Sequence, residues 1–87
     1  MMELSKTQSF SRDKGTKITA ADILSHVYSS LHEKGYDPVN QIVGYIMSGD
    51  PTFITAYNGA RVLISKVERD ELVEEMLKTY ISAHNWE

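Results

Sequence analysis

The chain contains no cysteine, which excludes disulfides, thiolate nucleophiles, thiol redox chemistry and every zinc site built on cysteine. No apolar run approaches the roughly 18–20 residues that a membrane span requires, so no membrane insertion is expected. The opening Met1-Met2-Glu3-Leu4-Ser5-Lys6 lacks the apolar stretch of a secretory signal, and a cytoplasmic address follows as the expectation. Positive charge is also scarce. Nine Lys and Arg face twelve Asp and Glu, a net charge of −3. The deficit lies in residues 35–87, with four basic and eight acidic side chains, against five and four in residues 1–34. Nucleic acid is a poor partner for such a surface, because its binding depends largely on neutralising phosphates.

What is present is enough for one domain of 87 residues. A domain of this size buries only about 60–65% of the surface its unfolded chain exposes, and is marginal alone. Disulfides are excluded, so association with a second copy is the expected supplement.

Residues 1–17 are polar, rich in Ser, Thr and Lys, and interrupted by Gly15; only Leu4 and Phe10 offer anchors. They read as a flexible N-terminal arm preceding a helical dimerisation and regulatory domain at 18–87. Thr19 and Asp22 predict a helix start. Ala20, Ile23, Leu24, Val27, Tyr28 and Leu31 then recur at three- and four-residue spacing, and Gly35 ends the helix. Asp37-Pro38 opens a second helix, whose predicted apolar face is Val39, Ile42, Val43, Ile46 and Met47, with Tyr45 beside it. Ser48-Gly49 stop it. Asp50-Pro51 predicts a single helical turn through Phe53 and Ile54, and Tyr57-Asn58-Gly59 a reverse turn. From Ala60 the apolar positions are Val62, Leu63, Ile64 and Val67, resuming at Leu72, Val73, Met76, Leu77, Tyr80 and Ile81. The charged Glu68-Arg69-Asp70-Glu71 between them predicts a break, then a last helix with Leu72 and Val73 facing inward. With no alternating strand pattern, the fold class is all-α: a compact bundle of about five short helices, homodimeric.

Candidate chemistry is sparse. His26 and His32 lie on different faces of one helix and His84 lies at the end of another, without the spacing or the carboxylate ligand of a zinc helix. No metal or cofactor is expected. The acids Glu68, Asp70, Glu71, Glu74 and Glu75 suit the positive end of a helix, and a general acid–base pair among them would need burial to separate the two pKa values. The glycines form no phosphate-binding loop. Gly44, inside a predicted helix, costs about 1 kcal/mol relative to Ala, leaving open a close packing contact or an indifferent position. A helix-turn-helix DNA reader is the alternative class, since a short turn with Gly separates the second and third helices. Residues 60–67, however, offer a recognition helix only Arg61 and Lys66.

The run from Glu33-Lys34-Gly35-Tyr36-Asp37-Pro38-Val39-Asn40-Gln41-Ile42-Val43-Gly44-Tyr45-Ile46-Met47 to Ser48-Gly49-Asp50-Pro51 is more specific than any of these patterns. It resembles the signature of the IreB/ReoM family of small Gram-positive regulatory proteins. The resemblance resumes at Ala60-Arg61 and runs through Glu68-Arg69-Asp70-Glu71-Leu72-Val73-Glu74-Glu75, covering about half the chain. It implies a helical, non-enzymatic homodimer that is phosphorylated by a membrane-anchored Ser/Thr kinase with PASTA repeats and dephosphorylated by its cognate phosphatase. The implied role is control of peptidoglycan synthesis and antibiotic tolerance, in part through proteolysis machinery or its adaptor. Thr7-Gln8-Ser9-Phe10 matches the family's phosphoacceptor pattern, which makes Thr7 the implied site. Arg61, Lys66 and Arg69 match what looks like a basic partner-binding surface. Thr55-Ala56-Tyr57-Asn58-Gly59 departs from the family, whose members carry a basic segment there, and Ser65 stands where arginine is common.

Overall fold

The computed structural model describes residues 18–86, and within them every regular element is helical. The arm predicted at 1–17, with Thr7, lies outside the described residues. Among the described residues there are four α-helices: α1 (Ala20–Glu33), α2 (Pro38–Ser48), α3 (Ala60–Ile64) and α4 (Arg69–Ala83). The single helical turn expected after Asp50-Pro51 is the 3₁₀ turn Pro51–Phe53, and the reverse turn expected at Tyr57-Asn58-Gly59 is a second 3₁₀ turn, Tyr57–Gly59.

Local chemistry sets the boundaries. Thr19 and Asp22 form a reciprocal capping box at the start of α1: the Asp22 amide donates to the Thr19 hydroxyl at 3.1 Å, and the Thr19 amide donates to the Asp22 carboxylate at 3.1 Å. At the other end Gly35 is left-handed (φ +83°), and the amides of Gly35 and Tyr36 return to the carbonyls of His32 and Leu31, a Schellman closure. Asp37 caps α2 by accepting from the Asn40 amide, with Pro38 in the first turn. Left-handed Gly49 ends α2 by donating to the Tyr45 carbonyl at 2.7 Å. The charged break before α4 is a second capping box, between Glu68 and Glu71.

α1 is the central element and packs against α2, α3 and α4. Ile23, Val27 and Leu31 from α1 meet Tyr45, Ile54, Ala60, Ile64 and Leu72 in one buried cluster. Ser30 is buried among them, its hydroxyl donating to the His26 carbonyl at 2.9 Å.

Two expected orientations are corrected. The face predicted for α2 is turned partly outward: Val39, Val43 and Met47 are 67%, 51% and 78% exposed, and Tyr45 is buried instead. α2 carries no charged residue, and its apolar side chains cover more than half of its circumference opposite Asn40, Gln41, Gly44 and Ser48, so its pattern alone does not say which part of that wide arc faces the core. What selects the face is Gly44. The Phe53 ring occupies the space beside it, so close that a Cβ built on Gly44 would stand 2.5 Å from the ring. The Gln41 side-chain amide donates to the Phe53 carbonyl at 2.9 Å and holds the same segment against α2. The second correction is Val73, which is 44% exposed while Leu72 is fully buried.

Candidate functional site

The feature that brings residues of separate helices together is the turn Gly49-Asp50-Pro51 between α2 and the first 3₁₀ turn. Asp50 makes this turn by accepting from the Thr52 amide at 3.0 Å and from the Thr52 hydroxyl at 2.7 Å. Those two bonds, the hydroxyl's first, hold the Asp50 carboxyl below its ordinary pKa against the opposing effect of desolvation, and the Arg61 charge lowers it further. Ser48 completes the junction, donating to the Gly44 carbonyl and accepting from the Asp50 amide.

Two of the three predicted cations converge here. Arg61, half-buried on α3, donates from Nε to the Ile54 carbonyl at 2.8 Å. Arg69, in the first turn of α4, donates to the Ile46 carbonyl at 2.8 Å. Its guanidinium lies over Gly49, with the guanidinium carbon 2.9 Å from where a Cβ would stand. Arg69 therefore ties α4 to the end of α2, and Arg61 ties α3 to the segment leaving the first 3₁₀ turn, while a guanidinium keeps several further N–H donors. Lys66 is elsewhere, exposed on the wall of a cleft with Ile18, Thr19, Ala20, Ile23, Val67 and Glu71 at the start of α1. Thr7 is outside the described residues.

The segment 55–59 is pinned to α1. The Tyr57 hydroxyl donates to Glu33 at 2.8 Å, which together with the nearby carboxylate charge raises the phenol's pKa. Lys34 Nζ lies 5.1 Å from the centre of the Tyr57 ring. His26 Nε2 lies 2.7 Å from the Asn58 carbonyl oxygen and, as that oxygen only accepts, carries the proton. The other histidines stack on tyrosines, His32 on Tyr28 and His84 on Tyr80. Among the described residues, no three His, Asp or Glu side chains gather as metal ligands would. Four of the five acids singled out at the start of α4 make local contacts: Glu68 and Glu71 in the capping box, Glu74 with Lys78 at 3.1 Å, Glu75 with Thr79 at 3.2 Å.

The helix-turn-helix reading meets an unfavourable geometry. Residues 49–59 lie between α2 and α3, and α3 is five residues long with Arg61 turned back onto Ile54. Sequence reasoning took Asp50 as punctuation and missed that Arg61 and Arg69 share its turn. The repeated Asp-Pro was the signal for the turn, but nothing local announces its cations. No described helix is long and apolar enough to cross a membrane.

The profile of a family described as "IreB regulatory phosphoprotein" matches residues 5–82. A UPF0297 protein of Lachnoclostridium phytofermentans is 56% identical over 84 residues, which cover 97% of this chain and 96% of that protein.

Proposed function

Because the chain belongs to the IreB family of regulatory phosphoproteins, we propose that it is a non-enzymatic phospho-switch adaptor. In this reading it is a cytoplasmic substrate of a PASTA-type Ser/Thr kinase and its phosphatase, and adjusts peptidoglycan synthesis and antibiotic tolerance. The observation that carries it is the family match itself, which begins at residue 5 and so includes Thr7. Phosphate on Thr7 adds about −1.5 to −2 charges beside Lys6 and close in sequence to Arg12 and Lys14. Arg61 and Arg69, each with N–H donors to spare at the Gly49-Asp50-Pro51 turn, are the surface we assign to a downstream partner, with Lys66 as a separate contact. That partner belongs to the proteolysis machinery or is its adaptor.

The working form is a homodimer. Support comes from α4, where Val73, Met76, Leu77 and Tyr80 are exposed although only Leu72 of that helix is fully buried. Burying such a face on a two-fold partner is the common solution for a small domain.

The test is treatment with a PASTA-type kinase, phosphate mapping by mass spectrometry, and capture of partners from a Gram-positive lysate with both forms. Phosphate on Thr7, a changed set of bound proteins and an unchanged thermal melt are expected. Phosphate chiefly on Thr16, Thr19 or Ser48, or loss of the fold in Thr7→Ala, would sink the switch.

A further inference from the structure

The second 3₁₀ turn carries a reactive dipeptide, Asn58-Gly59. In an Asn-Gly pair the glycine amide nitrogen meets little steric hindrance and can attack the asparagine side chain. Asn58 and Gly59 are both exposed, and both adopt the left-handed conformation, with φ +57° and +69°. Each reacting group is nevertheless restrained. The Gly59 amide donates to the Ala56 carbonyl at 3.1 Å. The Asn58 carbonyl is gripped by His26 Nε2 at 2.7 Å, from a helix 32 residues earlier in sequence. Cyclisation requires rotation about the Asn58 Cα–C bond, to bring the Gly59 nitrogen onto the side-chain carbon. Fixing the carbonyl oxygen on the same bond opposes that rotation.

We propose that Asn58 is a site of spontaneous deamidation, and that the His26 hydrogen bond to its carbonyl sets the rate. The Gly59 nitrogen bonds to Cγ of Asn58 and loses its proton, the side-chain nitrogen leaves as ammonia, and a succinimide forms. Water then opens the ring at one of its two carbonyls, leaving aspartate or isoaspartate at position 58. Either product adds a negative charge to the segment that Tyr57 ties to Glu33. Isoaspartate also routes the main chain through the former side chain, adding a methylene and displacing the carbonyl that His26 holds. Closed, the turn is protected; once opened and converted to isoaspartate, it cannot re-form the same latch.

The experiment ages the full-length protein at neutral pH and physiological temperature, folded and in urea. Peptide mass spectrometry then reads the mass gain at Asn58 and resolves the aspartyl and isoaspartyl products. Deamidation proceeds through the opened turn, so the folded protein should react slower than the unfolded one by about tenfold or more. His26→Ala, checked for helicity by circular dichroism, should speed reaction of the folded protein, and His26→Gln, which keeps a side-chain donor, should restore part of the protection. Exchange of the Gly59 amide should rise in His26→Ala with the deamidation rate. Equal rates in folded and unfolded wild type overturn the proposal even if His26→Ala does not fold. So does absence of product at Asn58 in urea, or a folded His26→Ala that ages at the wild-type rate.

Discussion

At the scale of single residues, the informative positions are those whose roles depend on a distant neighbour. Gly44→Ala should gain helix propensity of about 1 kcal/mol, yet its new methyl would collide with the Phe53 ring. Overpacking of this kind costs about 1–3 kcal/mol. The expected result is a net loss of stability in urea melts of Gly44→Ala, and recovery when Phe53→Leu is added. Additive single and double variants would show that the ring does not explain the glycine. Asp50 makes a second residue-scale case. Its native pKa lies below the ordinary carboxylate value, so its stabilisation is complete above that value and is lost as pH falls through the lowered native one. Asp50→Asn, which keeps a capping acceptor, should flatten the acid side of the stability profile while leaving neutral pH nearly unchanged. An identical acid limb in both proteins would contradict this.

At the scale of elements, boundaries follow from residues within one turn of each helix end. The first-helix start is testable in isolation, because Thr19 accepts from the Asp22 amide and Asp22 from the Thr19 amide. Thr19→Ala should cost about 1 kcal/mol and speed amide exchange over residues 20–23, with α4 unaffected. A uniform rise in exchange across the chain would mean that the cap acts on the whole fold. Helix starts, stops and the break at Glu68 were legible in the sequence for this local reason. The faces were not. α2 lacks charge, so Val39-Val43-Met47 and Ile42-Tyr45-Ile46 are both plausible core stripes until Phe53 settles on Gly44. α4 carries one broad apolar face, running from Leu72 and Met76 round to Leu77 and Ile81, and only Leu72 on it is fully buried.

For the whole molecule, the exposed part of the apolar face of α4 leads to a prediction about assembly. Leu77, 53% exposed, lies on the face assigned to the dimer. Leu77→Glu should convert a sedimenting dimer to a folded monomer at micromolar concentration. A wild type that sediments as a monomer, or a variant that stays dimeric, would remove that face from the assembly. The class, the helix starts, the two Asp-Pro turns and the family could be read along the chain, because each is written in residues adjacent to one another. The long-range roles of individual side chains emerge from the packing of the helices. Arg69 reaches Ile46 across 23 positions and His26 reaches Asn58 across 32. Gln41 and Gly44 both act on Phe53. Contacts at such separations depend on how helices pack, and packing selects among faces that the amino-acid pattern leaves equivalent.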